Sequence, residues 1–75
     1  MARDTKLTEA ILVLKNSVGE ASCRADEAAD VAFKLVRKFD YDDEVRDPSV
    51  AAAARCCGRQ LRQLSKELAE MAAKL

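Results

Sequence analysis

The sequence predicts an all-α fold, a long antiparallel helical hairpin with coiled-coil-like heptads. Three observations predict it. Apolar residues recur at alternating steps of 4 and 3 over residues 7–39, a second such series covers residues 50–75, and a polar, non-periodic stretch ending in Asp47 and Pro48 separates them. Sustained 3/4 spacing draws one apolar stripe along a helix, the pattern of helices that meet along a seam.

The first series is Leu7, Ile11, Leu14, Val18, Ala21, Ala25, Ala28, Ala32, Leu35 and Phe39, and it predicts helix 1 over residues 5–39. Gly19 interrupts it, at about 1 kcal/mol relative to Ala in a helix interior. Ser17 and Glu20 around it imitate a capping box. The phase passes through Gly19 unchanged, which favours one continuous helix. A break near residues 16–19 would instead give a three-helix bundle.

The turn, residues 40–47, is mostly charged. Asp47 suits an N-cap, and Pro48 suits the first helical position, where its missing N–H leaves nothing unpaired. Helix 2 is therefore expected over residues 48–74, with Val50, Ala54, Cys57, Leu61, Leu64, Leu68, Met71 and Leu75 on its stripe. So short a connection makes the helices antiparallel neighbours. The whole chain, 1–75, reads as a single helical domain.

Pairing positions whose numbers sum to 89 sets Ala28 against Leu61, Ala25 against Leu64 and Ala21 against Leu68, small against large, with Ala32 facing Cys57. Beside that seam Ala51, Gly58, Ser65 and Ala72 form a column seven apart, all small, which also suits close approach.

Apolar residues remain outside the pairing. Leu7 and Ile11 lie beyond the reach of helix 2, and Leu12, Val13, Val31, Phe33 and Val36 lie off the stripe of helix 1. A 75-residue chain has a marginal core, and covering side chains of this size contributes ~1.5–3 kcal/mol each. These seven are the expected partner or dimer interface, and a four-helix bundle of two hairpins is the expected assembly. In one version helix 1 packs antiparallel on its own copy, centred near Ser22 and Cys23, so that Leu12 meets the second copy's Phe33.

Composition bounds the function. Lys+Arg and Asp+Glu number 13 each, so no net field draws the chain to nucleic acid or anionic membrane. Three cysteines, two of them adjacent, are not a secreted disulfide framework. The start of the chain does not read as a leader, and the apolar run at residues 10–14 is far too short to span a bilayer. A cytoplasmic setting and no membrane are expected.

Chemistry-bearing patterns are sparse. Histidine is absent, the serines (Ser17, Ser22, Ser49, Ser65) sit in no nucleophile motif, and two distant glycines make no phosphate loop, so no catalytic residue is expected. Neither a metal nor a cofactor is expected. Cys56 and Cys57 lack the spacing of a zinc site, and Cys23 stands alone. Asp40, Asp42 and Glu44 resemble the opening of a calcium loop, but its sixth and twelfth positions are Val45 and Ala51. Arg55, Arg59, Arg62 and Lys66 form a basic stripe that could follow an anion or a phosphate backbone. Glu20, Asp26, Glu27 and Asp30 lie in facing register, and no aromatic is interleaved to stack bases, so nucleic acid is the less favoured partner.

The functional expectation is a non-catalytic helical protein–protein interaction or scaffold module, acting by stoichiometric binding as a homodimer. The regular seam also looks like a designed helical bundle with no function beyond its fold, although three cysteines, a mid-helix glycine and an irregular turn are choices a designer avoids. Two other readings are a small phage- or plasmid-type adaptor or inhibitor of a larger protein, and a nucleic-acid-binding dimer using the basic stripe.

Overall fold

The structure, a computed structural model, describes residues 5–75; the start of the chain, residues 1–4, lies outside the described residues. Two helices form a hairpin: α1, Thr5–Tyr41, and α2, Pro48–Lys74. Helix α1 runs unbroken through Gly19 for 37 residues, so the three-helix alternative falls. It ends two residues later than expected because the Asp42 amide still reaches Lys38 O, at 2.9 Å.

The acidic turn satisfies its own backbone. Val45 N donates to Asp42 O at 3.1 Å, and Glu44 N donates to the Asp42 carboxylate at 3.0 Å. Asp47 N returns to Phe39 O at 2.9 Å, tying the end of the turn to the end of α1. Asp47 then caps α2 in extended conformation (φ −153°, ψ 98°), its Oδ1 accepting from Ser49 N at 3.1 Å and Val50 N at 3.2 Å. With Pro48 lacking an N–H, the first donors of α2 that need a partner have one.

The seam differs from the expected one in both rotation and register. Buried positions are Ala25, Ala29 and Val36 on α1 and Ala51 and Gly58 on α2, with Ser22, Leu61, Ser65, Leu68 and Ala72 half-buried. In alternate layers the inward residue is thus the neighbour of the expected one: 22, 29 and 36 replace 21, 28 and 35, while 51, 58, 65 and 72 replace 50, 57, 64 and 71. Ser22 Oγ donates to Ser65 O at 2.7 Å, and Ser65 Oγ donates to Ser22 O at 2.9 Å. This reciprocal clasp pairs positions that sum to 87, not 89. Steps of seven along each helix then set Ala29 opposite Gly58 and Val36 opposite Ala51.

The reason is the size of the column that faces inward. A serine hydroxyl reaches a carbonyl on a neighbouring helix only when the two backbones lie close, and Ala, Gly and Ser are the residues that permit it. Pointing Cys57, Leu64 and Met71 inward would hold the axes apart and leave both hydroxyls without these partners. The column of small residues therefore takes the seam, and the larger apolar residues turn to its flank.

Gly58 shows how tight the approach is. The Phe33 ring lies over it, and a Cβ built at Gly58 would stand 2.7 Å from Phe33 Cζ. At Gly19 a Cβ would meet nothing within 4 Å. Opposite outcomes are expected from the same substitution. Gly19→Ala should raise stability by up to about 1 kcal/mol through helix propensity. Gly58→Ala should lower it by about 1 kcal/mol or more, because the displaced ring outweighs that gain. Denaturant unfolding of both variants at one fixed concentration checks the signs.

Candidate interaction surface

Heptad geometry gives the hairpin two broad faces, one on each side of the seam. On one face α1 presents Leu7, Ile11, Leu14, Ala21, Ala28 and Leu35, and α2 presents Val50, Cys57, Leu64, Met71 and Leu75, all of them exposed. Every residue in these flanking columns is apolar or a thiol. Eight of the thirteen exposed large hydrophobic residues among the described ones lie here, so the exposure is concentrated and not scattered.

The opposite face is ionic. Arg62 spans Asp26 and Asp30, one helical turn apart, with Nη1 at 2.5 Å and Nη2 at 2.6 Å from their carboxylates. Its guanidinium also lies over the Phe33 ring, 5.7 Å from the centroid. Gly58, Phe33 and Arg62 thus stack outward from the seam. Hydrogen bonds to Asp30 and then Asp26 hold the Arg62 pKa above its usual value. Nearer the turn Arg55 pairs with Asp40.

The seven residues expected at an interface do not share one surface. Leu7 and Ile11 stand at the far end of the apolar face. Leu12, 55% exposed, lies on the ionic side. Val13 and Val31 are exposed on the outer side of α1, away from the seam. Phe33 is half-buried against Gly58, and Val36, only 7% exposed, is part of the hairpin's own seam, which corrects the expectation that it faces water. Leu14, Leu35, Leu64 and Met71, which sequence reasoning had assigned to the seam, form the body of the apolar face instead.

The basic stripe divides in two. Arg55 and Arg62 are neutralised within the hairpin by Asp40, Asp26 and Asp30, while Arg59 and Lys66 make no ion pair among the described residues. Glu20 and Glu27 point away from it. All three cysteines are free and exposed, and Cys57 lies on the apolar face, not in the seam where it was expected. Among the described residues no cluster of His, Cys, Asp or Glu is placed to hold a metal ion, and no helix is long and apolar enough to cross a membrane. The grooves on the surface of α1, one beside Phe33 and one beside Gly19, are shallow and open. The sequence matches no protein-family model, and comparison with curated proteins and with solved structures found no match.

The Arg62 pairs are exposed and therefore weak, whereas the Phe33 contact removes apolar surface from water. Phe33→Ala should destabilise the chain by about 2 kcal/mol. Arg62→Met, which keeps an apolar cover over the ring, should leave the melting temperature nearly unchanged. Thermal unfolding followed by circular dichroism separates the two.

Proposed function

We propose that this chain is a non-catalytic helical interaction module acting by stoichiometric binding, and that its partner is a second copy of itself, apolar face against apolar face, in a four-helix bundle. The observation that carries this reading is the direction of the apolar stripe. In an isolated helix pair the stripe would point straight at the neighbouring helix. Here it is turned from the seam by about 50°, half a heptad step beyond the inward columns. In a square bundle each helix has neighbours on two sides, and its apolar stripe bisects them, roughly 45° from either. Each hairpin has the form of one half of such a bundle.

Surface area supports the same reading. The chain exposes 5787 Å², whereas a compact fold of its mass exposes roughly 4,500 Å². Its radius of gyration is 18.0 Å, against about 11 Å for a compact chain of this length. The excess over two copies is roughly 2,500 Å², the size of an obligate homodimer interface. Large residues such as Leu14, Leu35, Leu64 and Met71, each 41–53% exposed, would be covered by it. The ionic faces would remain outside, with Arg59 and Lys66 still free to meet an anionic partner.

Molar mass by light scattering, in reductant and across a tenfold concentration range, tests the proposal. Twice 8.2 kDa is expected. Leu64→Glu, which sets a charge in the middle of the face, should reduce the mass to that of one chain. A wild-type chain that stays folded at the mass of one chain, 8.2 kDa, would overturn the homodimer and favour the adaptor reading, in which the same face binds a larger protein.

A further inference from the structure

The apolar face is graded along its length. Inward of Leu35 and Val50, which flank the turn, it carries Ala28, Ala32, Ala54 and Cys57, and toward the other end Leu14, Val18, Leu68 and Met71. The register set by the Ser22–Ser65 clasp sorts these residues into successive layers of one hairpin. Between a Leu35–Val50 layer beside the turn and an Ile11–Leu75 layer at the far end, the layers are Ala32 with Ala54, Ala28 with Cys57, Ala25 with Leu61, Ala21 with Leu64, Val18 with Leu68, and Leu14 with Met71. Over these six central layers they grow from the smallest possible to nearly the largest.

From this gradient we infer that two copies stack end over end, their turns at opposite ends of the bundle, about a two-fold axis at the level of Cys23. The inference rests on the homodimer reading above and adds its topology. Stacked so, the Ala32–Ala54 layer receives Leu14 and Met71 of the second copy. The Ala28–Cys57 layer receives Val18 and Leu68, and Ala25–Leu61 receives Ala21 and Leu64. Each of these three layers then holds ten side-chain heavy atoms. With the turns at the same end every layer would meet its own copy, giving four atoms at Ala32–Ala54 and sixteen at Leu14–Met71. The first leaves a cavity and the second is overfilled, and both destabilise. Protein interiors are packed at nearly constant density; over these six central layers the end-over-end arrangement provides it, while the outer layers, Leu35–Val50 and Ile11–Leu75, are large in either arrangement. It also sets α1 against its own copy, antiparallel, through the apolar face and not through Leu12 and Phe33. The two Arg24 side chains approach each other near the axis, but they lie at the exposed rim where salt screens them.

The test is a distance between turns. A nitroxide is attached at Asp43→Cys in a background carrying Cys23→Ser, Cys56→Ser and Cys57→Ala. The spin–spin distance and the molar mass are then measured on the same sample. A dimer with a distance of about 60 Å is expected, twice the ~30 Å helical rise between the axis and the turn. A dimer with a distance below about 20 Å, two helix diameters, would overturn the topology and leave the homodimer standing. A single-chain mass for both this background and the wild type would overturn both.

If the altered background alone fails to pair, the wild-type chain supplies the answer through a short amine crosslinker. Lys6 and Lys38 lie roughly 48 Å apart on one straight helix, beyond the reach of such a reagent, but come side by side between end-over-end copies. A Lys6–Lys38 link is expected in the dimer. Its absence from a dimer that forms other lysine links would overturn the inference.

Discussion

The hairpin depends on how closely two helix backbones approach each other. That approach is made by residues with almost no side chain: Ala29 against Gly58, Ala51 against Val36, and the two serines whose hydroxyls donate to each other's carbonyls. None of these layers buries a large side chain; the largest core residue is Val36. Such a seam gains much from backbone proximity and little from apolar area, since Ala and Gly remove few square ångströms from water. Its consequence is geometric. With the small column turned inward, each helix carries its larger apolar residues rotated to one side, and the two rotations fall on the same side because the helices are antiparallel.

The division of the surface follows from that rotation. One flank of the seam is apolar over nearly its whole length, and the other holds Asp26, Asp30, Asp40, Arg55 and Arg62 in intramolecular pairs. The ionic flank is locally complete, since its carboxylates and guanidinium groups satisfy one another and Phe33 is covered. The apolar flank is exposed, and among the described residues a long hairpin measuring 65 × 15 × 11 Å has no third element to lay over it. Under the homodimer proposal, association covers that flank and the ionic one stays outside.

The helices, their limits within two residues, the Asp47 cap and the continuity through Gly19 were legible because each rests on local rules: periodicity, capping and helix propensity. The seam was legible only in part. Its candidate columns were visible, including Ala51, Gly58, Ser65 and Ala72, but heptad spacing cannot distinguish a stripe facing one neighbour from a stripe facing the middle of a bundle. The alternation of Leu7, Ile11, Leu14 and Val18 is identical in both cases. Deciding between them takes the distance between the axes, set by the long-range Ser22–Ser65 and Gly58–Phe33 contacts, which no local pattern encodes. The same gap left Val36 out of the seam and put Cys57 in it. Of the basic stripe, Arg62 proved to be paired with Asp26 and Asp30, as their facing register had suggested, and Arg55 with Asp40, which had been read only as part of the turn.

On the homodimer proposal, the hairpin's own seam is too small to sustain the fold and covering the apolar face completes it. The dependence of the thermal midpoint on protein concentration tests this most directly, because folding coupled to association makes the midpoint obey mass action. A midpoint that climbs steadily is expected as wild-type chain is raised from low micromolar to millimolar concentration. A cooperative midpoint that stays the same over that range would contradict it, showing that the isolated hairpin is stable with its apolar face in water.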